Sequence, residues 1–232
     1  MKIGGFEKYS FIDYPDCIGS VVFTSGCNFH CPYCHNPGLV RPDKHSRQEL
    51  SDENAIFSFL KKRKKYIDGI VITGGEPTLQ ADLPEFCRKI RDIGLLVKLD
   101  TNGSMPGVIE GLLQRGLVDY VAMDIKTSPD RYNNAICDID PCVIENSIEL
   151  LLGSSLPFEF RTTCVKPIVD EDAIQQIAGL VRGAPLYVIQ RPQLKKVLDP
   201  SFFDQQHRMI TEAEIKSFKT ILSSFVKKCI DR

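Results

Sequence analysis

The stretch Gly26-Cys27-Asn28-Phe29-His30-Cys31-Pro32-Tyr33-Cys34-His35-Asn36 sets three cysteines in a C-x3-C-x2-C pattern just after the apolar run Val21-Val22-Phe23. Three thiolates this close in the chain face one centre only if the backbone wraps around it, and Gly26 and Pro32 suit such a loop. A metal is the natural occupant. Structural zinc takes four protein ligands, and iron–sulfur cubanes normally take four cysteines, whereas the local set stops at three. Three cysteines on a [4Fe-4S] cluster leave one iron open to an outside ligand, which turns an electron carrier into a reaction site.

The rest of the chain's nine cysteines are scattered, which is no secreted disulfide framework and fits a reducing compartment where thiolates hold metal. Cys87 and Cys229 fall on apolar faces of predicted helices, Cys164 at a strand end and Cys17 before the first strand; free cysteine there is a small buried hydrophobe. Cys137 and Cys142, five apart, read either as a weak metal or redox pair or as unrelated thiols, since they lack the spacing of a zinc or cluster motif. With 232 residues and 43% hydrophobic content the chain can bury a full core, and it reads as a single domain over 1–232. Lys and Arg number 29 against 30 Asp and Glu, so no global field draws it to nucleic acid or an anionic membrane, and neither is expected as a partner. No apolar run approaches the roughly 20 residues that span a bilayer, and Met1–Gly5 has no signal-peptide core. The expected location is the cytoplasm.

Beyond the cysteine loop, Asn36-Pro37-Gly38 and Arg41-Pro42-Asp43 read as an irregular connection. A helix with Ser51 as N-cap carries the stripe Ile56, Phe59, Leu60 and ends in Lys61-Lys62-Arg63-Lys64-Lys65, a basic run that complements the helix dipole. Strand and helix patterns then alternate. Strands are expected at 69–73, 95–99, 120–123, 158–163 and 186–189, with helical spacing between them at Leu83, Phe86, Cys87, Ile90; at Val108, Ile109, Leu112, Leu113; at Ile144, Ile148, Leu151; and at Ile174, Ile177, Val181. A capping box at Thr211-Glu212-Ala213-Glu214 opens a last helix, over about 211–229. With the run at Val21 this makes six strands in βα succession, a pattern that gives right-handed crossovers and a parallel sheet. Six are too few for the closed eight-stranded barrel. An open doubly wound sheet and a partial barrel both remain, and periodicity does not choose between them.

Ligands gather at the carboxyl ends of parallel strands, and polar residues sit there in this chain. The cysteine loop follows the first strand, Gly74-Gly75-Glu76 the second, Asp100-Thr101-Asn102-Gly103 the third and Asp124-Ile125-Lys126 the fourth; Arg161 lies within the fifth, and Gln190-Arg191-Pro192 ends the sixth. The glycine pair allows a close backbone approach and exposes amides, although glycine pairs after strands are also common turns. Thr101-Asn102-Gly103 also reads as a simple Asn-Gly turn. Asp124 and Lys126 project to one face of a strand end, where they form either a solvated rim or part of a site, and a salt bridge between residues two apart is expected to need strain. Arg161, central in its strand, needs an anionic partner.

The cysteine spacing, with aromatic Tyr33 before the third cysteine, resembles the radical S-adenosylmethionine (SAM) superfamily. His35-Asn36 and Ser10-Phe11-Ile12-Asp13-Tyr14-Pro15 narrow the resemblance to activating enzymes of glycyl radical enzymes, above all that of the anaerobic ribonucleoside-triphosphate reductase. It covers nearly the whole chain, from Ser10 to Pro200. It implies a partial (β/α)6 barrel open to a large substrate. It also implies one [4Fe-4S] cluster on Cys27, Cys31 and Cys34, and SAM held among Tyr33, Gly74, Gly75, Glu76, Thr101, Asn102, Asp124, Lys126, Arg161 and Gln190. One electron from the reduced cluster would split SAM into methionine and a 5'-deoxyadenosyl radical, which takes a hydrogen from a backbone glycine of the partner; a flavodoxin or ferredoxin-type donor would supply the electron.

Two departures stand out. Asp16 follows Pro15 where such activases have glycine, which puts the tight turn in doubt. Only about 40 residues separate Cys34 from Gly74, too few for the ferredoxin-like insert of some activases, so a single cluster is expected. Other readings are a pyruvate formate-lyase-type activase, a small-substrate enzyme such as a 7-carboxy-7-deazaguanine synthase, or, outside catalysis, an electron-transfer or zinc module.

Overall fold

A computed structural model describes residues 1–40, 52–204 and 208–232. The connection expected at Arg41-Pro42-Asp43 and the N-cap expected at Ser51 lie outside the described residues. Among the described residues eight strands form in chain order: β1 (Ile3–Ser10), β2 (Gly19–Thr24), β3 (Gly69–Gly74), β4 (Leu96–Thr101), β5 (Tyr120–Asp124), β6 (Phe158–Thr163), β7 (Tyr187–Gln190) and β8 (Cys229–Asp231). Hydrogen-bonded neighbours follow that same order, so the sheet does not close on itself. The six from β2 to β7 are those the sequence predicts, and the fold is the α/β partial barrel that the resemblance implies. β1, antiparallel to β2, and β8, parallel to β7, are additions.

Both additions are edge strands with weak signals. β1 opens with Ile3-Gly4-Gly5, and glycine is a poor strand former. β8 is three residues long, and the last helix ends at Ser223 rather than near 229, so Cys229 lies on a strand and not on a helix face.

The chain forms two compact units. The first comprises Met1–Asn28, Gly38–Thr101 and Gly107–Val121. It holds β1 to β4 and helices α1 (Pro37–Val40), α2 (Glu53–Arg63), α3 (Leu83–Ile93) and α4 (Pro106–Gln114), the opening prolines of α1 and α4 apart. Its parallel pairs run in register from Gly19↔Gly69 to Thr24↔Gly74 and from Gly69↔Leu96 to Ile72↔Leu99. Val21, Val22, Ile70, Val71 and Ile72 are all buried, as parallel strands covered on both faces require. α3 buries the predicted Leu83, Phe86, Cys87 and Ile90, each worth about 1.5–3 kcal/mol for the larger apolar side chains, and left-handed Gly94 ends it. Asp52 caps α2, its side chain accepting the Asn54 N–H at 3.0 Å. The turn after β1 does form: Cys17 N–H reaches Tyr14 O at 3.3 Å, with Asp16 at φ 58°. Aspartate tolerates this left-handed position better than most residues, which is how the chain keeps a turn usually given to glycine.

The second unit comprises Phe29–Pro37, Asn102–Pro106 and Ala122–Arg232. It contains the end of β5, β6 to β8, and helices α5 (Tyr132–Ala135), α6 (Pro141–Leu152), α7 (Glu171–Leu180) and α8 (Glu212–Ser223). β6 and β7 pair from Phe160↔Tyr187 to Thr163↔Gln190. Asp140 and Asp170 cap α6 and α7, and the predicted capping box of Thr211 and Glu214 opens α8. The predicted stripes Ile144, Ile148, Leu151 and Ile174, Ile177 are buried.

Candidate functional site

In the first unit, the end of β3 packs against the segment that leads into Cys27. A Cβ on Gly74, at φ 113°, would stand 2.4 Å from Thr24 N, and one on Gly75 would stand 2.1 Å from Gly26 O. Glycine is required here for a backbone-to-backbone approach. The amides are not exposed as expected: Gly75 N–H donates to Thr24 O and Glu76 N–H to Gly26 O, both at 2.8 Å. Glu76 is 1% exposed, and its Oε1 accepts from Thr78 N–H at 3.0 Å, Thr78 Oγ1 at 2.5 Å and Thr101 Oγ1 at 2.7 Å. One carboxylate oxygen therefore ties the end of β4 to the 3-10 turn Pro77–Leu79 and satisfies buried hydroxyls that would otherwise be costly.

Sequence reasoning missed Lys98. It is almost fully buried on β4, ion-paired with Asp100, and its Nζ lies 5.8 Å from the Tyr120 ring centroid. The signal was available, because Lys98 and Asp100 have the same two-residue spacing as Asp124 and Lys126.

In the second unit, Asp124 stands between two cations. Arg161 Nε donates to its Oδ1 at 2.8 Å and Lys126 Nζ to its Oδ2 at 3.0 Å. The lysine stem folds back along the strand end, so a pair two residues apart closes after all. Arg161 finds the acidic partner its position demands, with Glu159 also within 3.9 Å. Burial alone would raise the Asp124 carboxyl; Arg161 and then Lys126 outweigh it and hold the group well below the usual carboxylate range. Burial would likewise lower Lys126, and the Asp124 carboxylate keeps it charged. Asp124, Lys126 and Arg161 carry one net positive charge between them, which the buried Glu159 carboxylate beside Arg161 offsets.

Cys31 and Cys34 lie in this unit and Cys27 in the first. Cys31 is buried, Cys27 and Cys34 are partly exposed, and Cys34 N–H donates to Cys31 O at 3.0 Å. Among the described residues no group of three or more His, Cys, Asp or Glu is arranged around a single ion. A cubane binds each thiolate through a different iron, so its ligands need not converge on one point. The donor set, three thiols and no carboxylate, suits iron–sulfur chemistry. Tyr33 adds to the fit: its buried hydroxyl has no hydrogen-bond partner in good geometry among the described residues, and burial, then the Cys31 thiol, push the phenol far above its ordinary value. Buried hydroxyls rarely stay unsatisfied, and those of Ser104 and Ser128 in the same unit are alike in this.

Asn102 is buried, with Oδ1 accepting the Ser104 N–H at 2.9 Å in the Asn-Gly turn. Gly103, at φ 76°, has its carbonyl bonded by Ser147 Oγ at 2.6 Å. Gln190 ends β7 partly exposed, and its carbonyl accepts the Cys164 N–H at 2.9 Å. His30 and His35 are exposed; His35 Nε2 meets Asn36 Nδ2 at 3.3 Å. Arg191 pairs with Glu212 and Asp231.

An open α/β sheet with a three-cysteine loop after its first parallel strand, and charged residues at later strand ends, defines a class of cluster-bearing enzyme. The chain belongs to the radical SAM superfamily, whose model matches residues 21–178. That superfamily works with a [4Fe-4S] cluster and S-adenosylmethionine. Within it the chain falls among glycyl-radical enzyme activating enzymes. It is 36% identical to a Methanocaldococcus jannaschii protein named for that activity, over 99% of this chain and 95% of the other. It is 32% identical to the pyruvate formate-lyase-activating enzyme of Clostridium pasteurianum, over 78% of this chain and 76% of that one. In fold it resembles Streptococcus suis SuiB bound to S-adenosylmethionine, with a TM-score of 0.61, 12% identity, and coverage of 85% of this chain and 44% of that one.

Proposed function

We propose that this chain cleaves S-adenosylmethionine reductively at a single [4Fe-4S] cluster and sets a radical on a backbone glycine of a partner enzyme, anaerobic ribonucleoside-triphosphate reductase being the first candidate. The observation that carries this reading is the 36% identity to an activating enzyme over 99% of this chain and 95% of that one. The cluster, when bound and reduced, supplies the electron that splits the sulfonium. Cys27, Cys31 and Cys34 would hold it through their thiolates. Lys126 and Arg161, kept charged against Asp124, attract the carboxylate of SAM. Tyr33, Gly74, Gly75, Glu76, Thr101, Asn102 and Gln190 are the further residues assigned to SAM. A flavodoxin or ferredoxin-type protein supplies the electron, and the work is done in the cytoplasm. Among the described residues no helix is long and apolar enough to cross a membrane.

The Clostridium relative favours pyruvate formate-lyase as a second candidate partner. The test is anaerobic: protein reconstituted with iron and sulfide is reduced, given SAM and assayed for 5'-deoxyadenosine. Wild type is expected to form it and Cys31→Ala to lose it. Electron paramagnetic resonance then shows which candidate partner gains a glycyl radical. A wild type that loads its cluster and cleaves no SAM, with either partner present, overturns the reading.

A further inference from the structure

We infer that Tyr132 is a positioning residue that couples the cysteine loop to the charges that seat SAM, an inference that rests on the function proposed above. Tyr132 is 0% exposed and opens α5, the short helix after β5. Its hydroxyl accepts the Lys126 N–H at 2.9 Å. The other half of that peptide group, the carbonyl of Ile125, accepts the Thr162 hydroxyl at 2.7 Å. Because Thr162 spends its proton on this carbonyl, the Tyr187 hydroxyl, 2.5 Å away, donates to Thr162. One peptide plane is thus held at both edges by buried side-chain hydroxyls. It lies just where the strand gives out: β5 ends at Asp124, and Ile125 N–H makes a last sheet-like bond to Arg161 O at 2.8 Å. The orientation fixed there is the one from which Lys126 Nζ folds back on Asp124.

The ring of the same residue reaches the cysteine loop. It meets Phe29 edge-on, with centroids 5.7 Å apart and planes at 70°, and Phe29, two residues before Cys31, is 2% exposed. The backbone reinforces the contact. Tyr132 O accepts the N–H groups of Ile136 and Cys137 at 2.9 and 3.0 Å, and Ile136 O accepts His30 N–H at 3.1 Å. One buried tyrosine therefore sets the Lys126 peptide with its hydroxyl and the approach to Cys31 with its ring. A cofactor held by residues of both places would need them in register, since a misplacement on the order of 1 Å can cost about 100-fold in rate.

Hydroxyl and ring can be separated by mutation. In the anaerobically reconstituted full-length protein, Tyr132→Phe keeps the ring and removes the acceptor. It is expected to retain wild-type iron content and a wild-type spectrum of the reduced cluster without SAM. Its KM for SAM in 5'-deoxyadenosine formation should rise about tenfold, the effect of one buried hydrogen-bond partner lost, with kcat changed less than about threefold. The concentration of SAM that perturbs the cluster's paramagnetic resonance should rise in step. Thr162→Val, which frees the other edge of the same peptide, should give the same split. Phe29→Leu should instead lower iron content and leave the KM of the loaded fraction unchanged.

A Tyr132→Phe protein with wild-type KM and SAM-dependent spectrum overturns the inference while the activase reading stands. So does one that loses iron and affinity together while Thr162→Val behaves as wild type, since that is a folding defect alone. A wild type that neither binds nor cleaves SAM overturns the functional reading, and the inference falls with it.

Discussion

A methyl group added at Gly75 would stand 2.1 Å from the carbonyl oxygen of Gly26, the residue before the first cysteine of the loop. Backbone on both sides leaves nothing flexible to give way, so the strain must move the loop. Gly75→Ala is expected to cost about 1–3 kcal/mol, as overpacking does, and to lower the iron bound per chain after reconstitution. Gly111→Ala is the control. Nothing lies within 4 Å of its added Cβ on α4, and alanine in a helix interior gains about 0.5–1 kcal/mol over glycine. Urea midpoints and iron analysis of the two variants check both halves, and equal iron loading in Gly75→Ala and wild type would count against a role in shaping the loop. The glycine pair was legible in the sequence, but its use was not. A sequence cannot say whether two glycines admit a ligand or another stretch of backbone, and here they admit Thr24 and Gly26. For the same reason the three donors on Glu76 Oε1 were out of reach, since Thr101 comes to it only through folding.

Elements were read best where one period ran long enough to be tested. α3 and α6 bury the residues their spacing picks out, and the capping box of α8 falls on the two residues that announce it. Edge strands fail this test because they are short or carry glycine, which is why β1 and β8 went unread. The start of α8 also yields a pH prediction. Lys166 first, then the Thr211 N–H, hold the Glu214 carboxyl down to about 2 from its ordinary value of 4.5. Lys166 Nζ lies 2.7 Å from Glu214 Oε1. A depressed carboxyl favours the folded state above its unfolded value, and that contribution disappears as pH falls through the folded one. The difference in Tm between wild type and Glu214→Gln should therefore be constant above pH 4.5, shrink between there and about 2, and vanish below. Thermal scans across this range check it. The pair is partly exposed, so added salt should reduce the difference at neutral pH; a gap that persists undiminished below pH 2 would assign the effect to helix propensity instead.

At the scale of the whole molecule, the two compact units do not divide the chain at one point. The second unit takes Phe29–Pro37 and Asn102–Pro106 from within the stretch that otherwise builds the first. These insertions supply parts of its interior. Phe29 packs on Tyr132, and Gly103 O accepts the hydroxyl of Ser147, which is 0% exposed. A fragment of residues 122–232 has the helices α5 to α8 and most of the strands of its unit, yet it lacks both segments. Its Tyr132 ring would lose an aromatic neighbour, and Ser147 would keep a buried hydroxyl without its acceptor, a loss of about 1–3 kcal/mol for the hydroxyl alone. Against a net stability on the order of 5–15 kcal/mol for a whole domain, such losses matter. The fragment should show helical far-ultraviolet circular dichroism, no near-ultraviolet signal and no cooperative melting, the marks of a compact state without fixed packing. A fragment that melts cooperatively would mean that the unit folds without its borrowed segments, and the chain would then have to be treated as two domains. If it fails to, the domain is the chain, and the cysteine loop cannot be taken out with either part, because Cys27 belongs to one unit and Cys31 and Cys34 to its neighbour.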